Sequence, residues 1–167
     1  MAKVGEGDPR WIVTDRDDGR NVNGWHWTEK SYTTWSRQRL EEMVRDIPVE
    51  CDVHEGQAKV TKLKRLDGDV HLTSRKGKKH GALYDITLTM EWIGQVPKPS
   101  TEGGEEVKGE IRIAEIVNGH DEKDYEYEVT VEGSGQGHDR LKSRVKAAKP
   151  QLLQIVSEFL AELSRQC

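Results

Sequence analysis

Apolar residues recur along the chain at two different periods, and the change between them divides it. Trp35, Leu40, Met43, Val44 and Ile47 fall at helical spacing, with Ser36 available as an N-cap and Pro48 closing the segment, so a short amphipathic helix is expected there. From Lys59 the text turns β-rich: Val60, Leu63, Leu66, Val70 and Leu72 are interrupted by Asp67-Gly68, a turn signal. After Arg75-Lys76-Gly77-Lys78-Lys79, residues Tyr84, Ile86, Leu88, Met90 and Trp92 alternate strictly and share one strand face. A loop containing Pro97, Pro99, Gly103 and Gly104 precedes a strand with Ile111, Ile113 and Ile116; Asn118-Gly119 then turns into another with Tyr125, Tyr127, Val129 and Val131. Most of these connections are too short for helical crossovers, which makes the pattern an antiparallel meander. Gly133-Ser134-Gly135-Gln136-Gly137 is glycine-rich but fails the Gly-x-Gly-x-x-Gly phosphate fingerprint, because position 138 is His, and it reads as a connector. Beyond it Leu141, Val145, Ala148, Leu152, Ile155, Val156, Phe159, Leu160 and Leu163 mark one face of a long helix, kinked at Pro150.

That apolar stripe must be covered, and the uncommitted sheet face is the available partner. The predicted fold class is therefore α+β: a four-stranded antiparallel meander over about 57–132, with an N-terminal helix and a long C-terminal helix over about 138–166 packed on the sheet. The first 24 residues are polar apart from Trp11-Ile12-Val13 and read as a flexible arm before a single domain over 25–167.

Composition narrows the function classes. A chain of 167 residues can bury a core without staples, and 26 Lys plus Arg against 30 Asp plus Glu give a net charge of −4, unlike a general nucleic-acid counterion. No apolar run approaches the roughly 20 residues of a membrane-spanning helix, and the N-terminus lacks a signal-peptide stretch. The two cysteines, Cys51 and Cys167, have no metal or redox spacing. A cytoplasmic protein with reduced thiols, without membrane association, is expected. His26, His54, His71, His80, His120 and His138 lack the pairing that puts two ligands on one metal, and no Gly-x-Ser-x-Gly elbow occurs. The residues make no positive case for an enzyme, a metal or a cofactor.

Two features remain. Lys59–His80 holds eight basic residues against two acidic ones, whereas Glu102–Glu132 holds eleven acidic against three basic; opposed patches of this kind orient an encounter with a charged protein partner. The same basic ribbon, with Trp25 or Trp27 stacking on bases, is the feature an RNA-binding module would use. The second is Asn21-Val22-Asn23-Gly24-Trp25-His26-Trp27, whose indoles in a polar arm either anchor it to the fold or bind a partner, with His26 as a structural hydrogen-bonder.

The opening Met1-Ala2-Lys3-Val4-Gly5-Glu6-Gly7-Asp8-Pro9-Arg10-Trp11-Ile12-Val13 and the segment Asn21–Glu29 resemble the start of the activator of heat-shock protein 90 ATPase family, the Aha-type cochaperones. Arg75-Lys76-Gly77-Lys78 matches that family's second marker, about fifty residues downstream. The resemblance covers essentially the whole chain as the family's N-terminal domain. It implies a monomeric, non-enzymatic cochaperone that binds the middle domain of heat-shock protein 90 and stimulates its ATPase. The catalytic loop of the chaperone is released and its hydrolysis-competent conformation favoured; a docking-only binder is the milder alternative.

Carried over to this sequence, the resemblance makes Arg75, Lys76, Gly77 and Lys78 partner-binding residues, with Asp69 as an acidic contact and Leu83, on the outward strand face, as an apolar one. Asn21, Asn23, Trp25, His26 and Trp27 carry the motif associated with nucleotide exchange by the chaperone. Departures are expected to matter: Gly24 replaces the asparagine usual before Trp-His-Trp, Lys79-His80-Gly81 stand where apolar residues are usual, and the family's second, helix-grip domain is expected to be absent. Weaker stimulation than by a two-domain activator is expected.

Overall fold

A computed structural model describes residues 25–49, 57–97 and 104–167; the arm expected over 1–24, with Asn21 and Asn23, lies outside the described residues. The elements are β1 (Thr28–Ser31), α1 (Thr33–Met43), β2 (Ile47–Val49), β3 (Gln57–Arg75), β4 (Lys78–Val96), β5 (Glu105–Val117), β6 (Glu126–Val129), α2 (Gln136–Ala147) and α3 (Lys149–Arg165). The fold is α+β, but the sheet has six strands and not four. Strands β3 to β6 form the expected meander in the order β1-β3-β4-β5-β6, and β2 joins β1 on the outer edge of β3, at its other end. Two short strands escape the sequence pattern for a physical reason. Thr28-Glu29-Lys30-Ser31 has no apolar residue and all four positions are exposed, so no alternation exists to read, and Ile47-Pro48-Val49 is too short to show one.

The spacing of three between Val60, Leu63 and Leu66 resembles a helix, yet the segment is a strand. Register shifts between Val60 and Lys62 and between Leu63 and Arg65 each insert one extra residue into β3, so these three residues stand opposite Trp92, Met90 and Leu88, two apart on β4. The strand also runs straight through Asp67-Gly68. Gly68 holds φ +96° opposite Ile86, and a Cβ there would lie 1.9 Å from the Asp85 carbonyl oxygen, so the glycine permits a close approach of strands and not a turn.

One face of the sheet carries Val60, Leu66, Val70, Ile86, Leu88, Met90, Trp92, Ile111 and Ile113, all buried, against Leu40 and Val44 near α1 and the apolar stripe of α2 and α3. Trp92 is fully buried and its indole N–H donates to the Thr130 carbonyl oxygen at 3.1 Å. The predicted single C-terminal helix is two. The chain breaks at Ala148, and Pro150 lies in the first turn of α3, where its missing N–H costs no hydrogen bond; it starts a helix and does not kink one. Ser36 is likewise not a cap. It lies one turn inside α1, fully buried, and its hydroxyl finds no partner among the described residues, while Tyr32 occupies the N-cap position.

Polar contacts also hold the helices in place. Arg39 on α1 makes a bidentate pair with Glu162 on α3, at 2.6 and 2.8 Å, and that donation holds the Glu162 carboxyl below its ordinary range. Tyr127 donates its hydroxyl to the Val145 carbonyl oxygen at 2.9 Å, and burial pushes its ionisation up.

Candidate interaction surface

The turn joining β3 to β4 is built by Lys76 and Gly77, at φ +54° and +71°. Positive φ at both central residues is the mark of a type I′ hairpin turn, whose twist matches the strands it joins. Glycine holds that conformation readily; lysine holds it under strain. Arg75 and Lys78 pair across the turn, so cations crowd the tip of the hairpin.

β1 lies antiparallel to β3 with Thr28 opposite Ser74, and their hydroxyls are hydrogen-bonded at 2.7 Å. That register carries the residues just before β1 past the tip. Arg75 Nε donates to the Trp25 carbonyl oxygen at 2.8 Å, the Arg75 guanidinium lies 5.9 Å from the Trp25 ring centroid and 5.6 Å from that of Trp27, and the Lys76 ammonium lies 3.4 Å from the Trp25 centroid. Trp27 meets His80 edge to face at 4.8 Å. The two sequence markers, fifty residues apart, thus form one cluster. His26 is exposed within the same segment. Lys79 is engaged elsewhere, donating to the Gln166 carbonyl oxygen beyond α3 at 2.5 Å.

Asp69 and Leu83 are not at the tip. Leu83 pairs with His71 and Asp69 with Asp85, so the four share the outward face of β3 and β4, further along the same hairpin. Trp25, Trp27 and Leu83 are the exposed large apolar side chains among the described residues, at 54%, 56% and 50% exposure, and all three belong to this hairpin or to the segment lying on it. The contact between the markers could not be read in the sequence, because the polar strand β1 sets it.

The basic ribbon expected over 59–79 is broken up. Lys59 pairs with Asp46, Lys62 with Glu91, Lys64 with Glu110 and Arg65 with Asp67, so carboxylates stand beside its first half. Glu110 comes from the acidic region, brought close because β5 adjoins β4. What remains as a cationic surplus is the hairpin tip.

Residues 29–166 match the family model described as "Activator of Hsp90 ATPase, N-terminal". The chain belongs to the activator of Hsp90 ATPase family. Among its relatives, the "Activator of 90 kDa heat shock protein ATPase homolog 2" of Bos taurus is 40% identical over 148 residues, covering 89% of this chain and 54% of that protein. The human "Activator of 90 kDa heat shock protein ATPase homolog 1" is 35% identical over 131 residues, covering 78% of this chain and 36% of its own length. The "Hsp90 co-chaperone HCH1" of Saccharomyces cerevisiae is 26% identical over 110 residues, which is 62% of this chain and 69% of that shorter relative. The chain therefore spans about half, or less, of the longer activators it matches. The matched region holds the hairpin and its outward face, while Trp25 and Trp27 lie just before its first residue.

Proposed function

We propose that this chain is a cytoplasmic, monomeric cochaperone that docks on the middle domain of heat-shock protein 90 and stimulates its ATPase by binding the hydrolysis-competent conformation more tightly than the resting one. The observation that carries the reading is the cluster of Arg75, Lys76, Trp25 and Trp27 at one exposed tip, in a chain whose relatives are named as activators of that ATPase. Exposed indoles interleaved with cations suit a protein surface that is both acidic and apolar.

Asp69 and Leu83 extend the docking surface along the outward face of the hairpin. Asp69 faces the like charge of Asp85 across the strands, an arrangement that a partner's cation would relieve. The chemistry belongs to the chaperone, and the cochaperone supplies differential binding: every ~1.4 kcal/mol of preference for the active conformation shifts the equilibrium tenfold. Lys76→Glu combined with Lys78→Glu is expected to weaken binding to heat-shock protein 90 at least tenfold in titration calorimetry, with an unchanged thermal midpoint. Wild-type affinity in that variant contradicts the assignment of the tip as the docking site.

A further inference from the structure

The four basic residues around the turn do not do the same thing. Arg75 spends its Nε–H on the Trp25 carbonyl and lays its guanidinium beside both indoles, Lys76 stands over the Trp25 ring, and Lys79 is tied to Gln166. The side chain of Lys78, which is exposed, makes no ion pair or hydrogen bond with the described residues. Trp25–Trp27 belong to no strand or helix, so contacts outside regular backbone pairing, those of Arg75 and Lys76 among them, fix their place at the tip.

We propose that Arg75 is a positioning residue. It pins Trp25–Trp27 across the hairpin turn, so that the two indoles and the ammonium groups of Lys76 and Lys78 present one recognition surface, fitted to a partner segment in which a carboxylate stands beside an apolar side chain. A carboxylate alone would be served by the lysines without the indoles. An apolar patch alone would have to strip water from two ammonium groups with nothing to pair them. An ammonium held against a ring face keeps its other donors free, so the Lys76–Trp25 pair can accept a carboxylate while the indole is covered. The inference rests on the hairpin being the docking surface and assigns how that surface is assembled.

Arg75→Lys is the discriminating variant, because it keeps the charge but loses the planar group that bonds a carbonyl and stacks on two rings at once. In the free chain, the indole N–H resonances of Trp25 and Trp27 are expected to move toward their positions in unstructured peptides, while those of buried Trp92 stay fixed. Binding to heat-shock protein 90 is expected to fall about tenfold, nearly as far as in Arg75→Ala. Trp25→Ala is expected to cause a similar loss, and the double variant to be no worse than either single one. If Arg75→Lys binds like the parent, or if the two losses multiply, Arg75 acts through charge alone and the proposal fails. Lys78→Glu separates this from a failure of the docking reading: weakened binding there, with Arg75→Lys unaffected, removes only the positioning role. Parental affinity in Lys78→Glu removes the recognition surface itself.

Discussion

Lys76 holds φ +54° where asparagine or glycine would sit at lower cost, and it is the residue whose ammonium lies against Trp25. Strain at an exposed position persists when the side chain is needed there. Lys76→Asn is expected to stabilise the hairpin by roughly 0.5–1 kcal/mol in chemical denaturation, since asparagine tolerates the left-handed region. The same variant is expected to bind heat-shock protein 90 about tenfold more weakly, and a gain in both properties would show that Lys76 has no part in docking. Gly68 is the opposite case, a purely structural requirement. With φ +96° and the Asp85 carbonyl oxygen 1.9 Å from any Cβ, Gly68→Ala is expected to cost about 2 kcal/mol or more, read as a lowered midpoint in urea. Asp67-Gly68 reads in sequence as a turn because Gly signals positive φ correctly. It does not say whether the chain reverses there, which the pairing of 66–72 with 82–88 decides against.

Elements with a long apolar repeat were legible and those without one were not. Tyr84 to Trp92 give β4 its face directly, with Ile86, Leu88, Met90 and Trp92 buried and Tyr84 half-buried. The bulges of β3 disguise its period, and β1, which has no apolar residue, is held by backbone pairing and by Thr28 with Ser74. The same blindness hid the surface: both markers were visible, but their contact depends on the register of β1. Between helices, the Arg39–Glu162 pair joins α1 to α3, whose Trp35 and Phe159 rings are also stacked, and it has a pH signature. Donation from Arg39 lowers the Glu162 carboxyl in the folded state, so its stabilisation is complete above the ordinary carboxylate range near 4.3 and is lost as pH falls through the lowered folded value. Both side chains are about a third exposed, which limits the effect through solvent screening. Glu162→Gln is expected to lower the thermal midpoint at pH 7 and to flatten its dependence on pH below 4.5. Parallel melting curves across that window would show that the pair contributes nothing.

The whole molecule carries a net charge of −4 and still has a cationic end. Pairing of Lys59, Lys62, Lys64 and Arg65 with neighbouring carboxylates leaves the surplus at the hairpin tip, beside Trp25 and Trp27. A polarised molecule of this kind meets an acidic surface tip first, and its association rate should fall with added salt while dissociation changes less. No described helix is long and apolar enough to cross a membrane. As proposed above, this tip docks on heat-shock protein 90 and the chain accelerates its ATP hydrolysis. Steady-state hydrolysis by heat-shock protein 90 with increasing amounts of this chain, blanked with an inhibitor of the chaperone's ATP site, tests it most directly. Inhibitor-sensitive acceleration that saturates with the chain and is lost in the Lys76→Glu, Lys78→Glu double variant is the predicted result; an unchanged rate at saturating concentrations of the parent chain would contradict it.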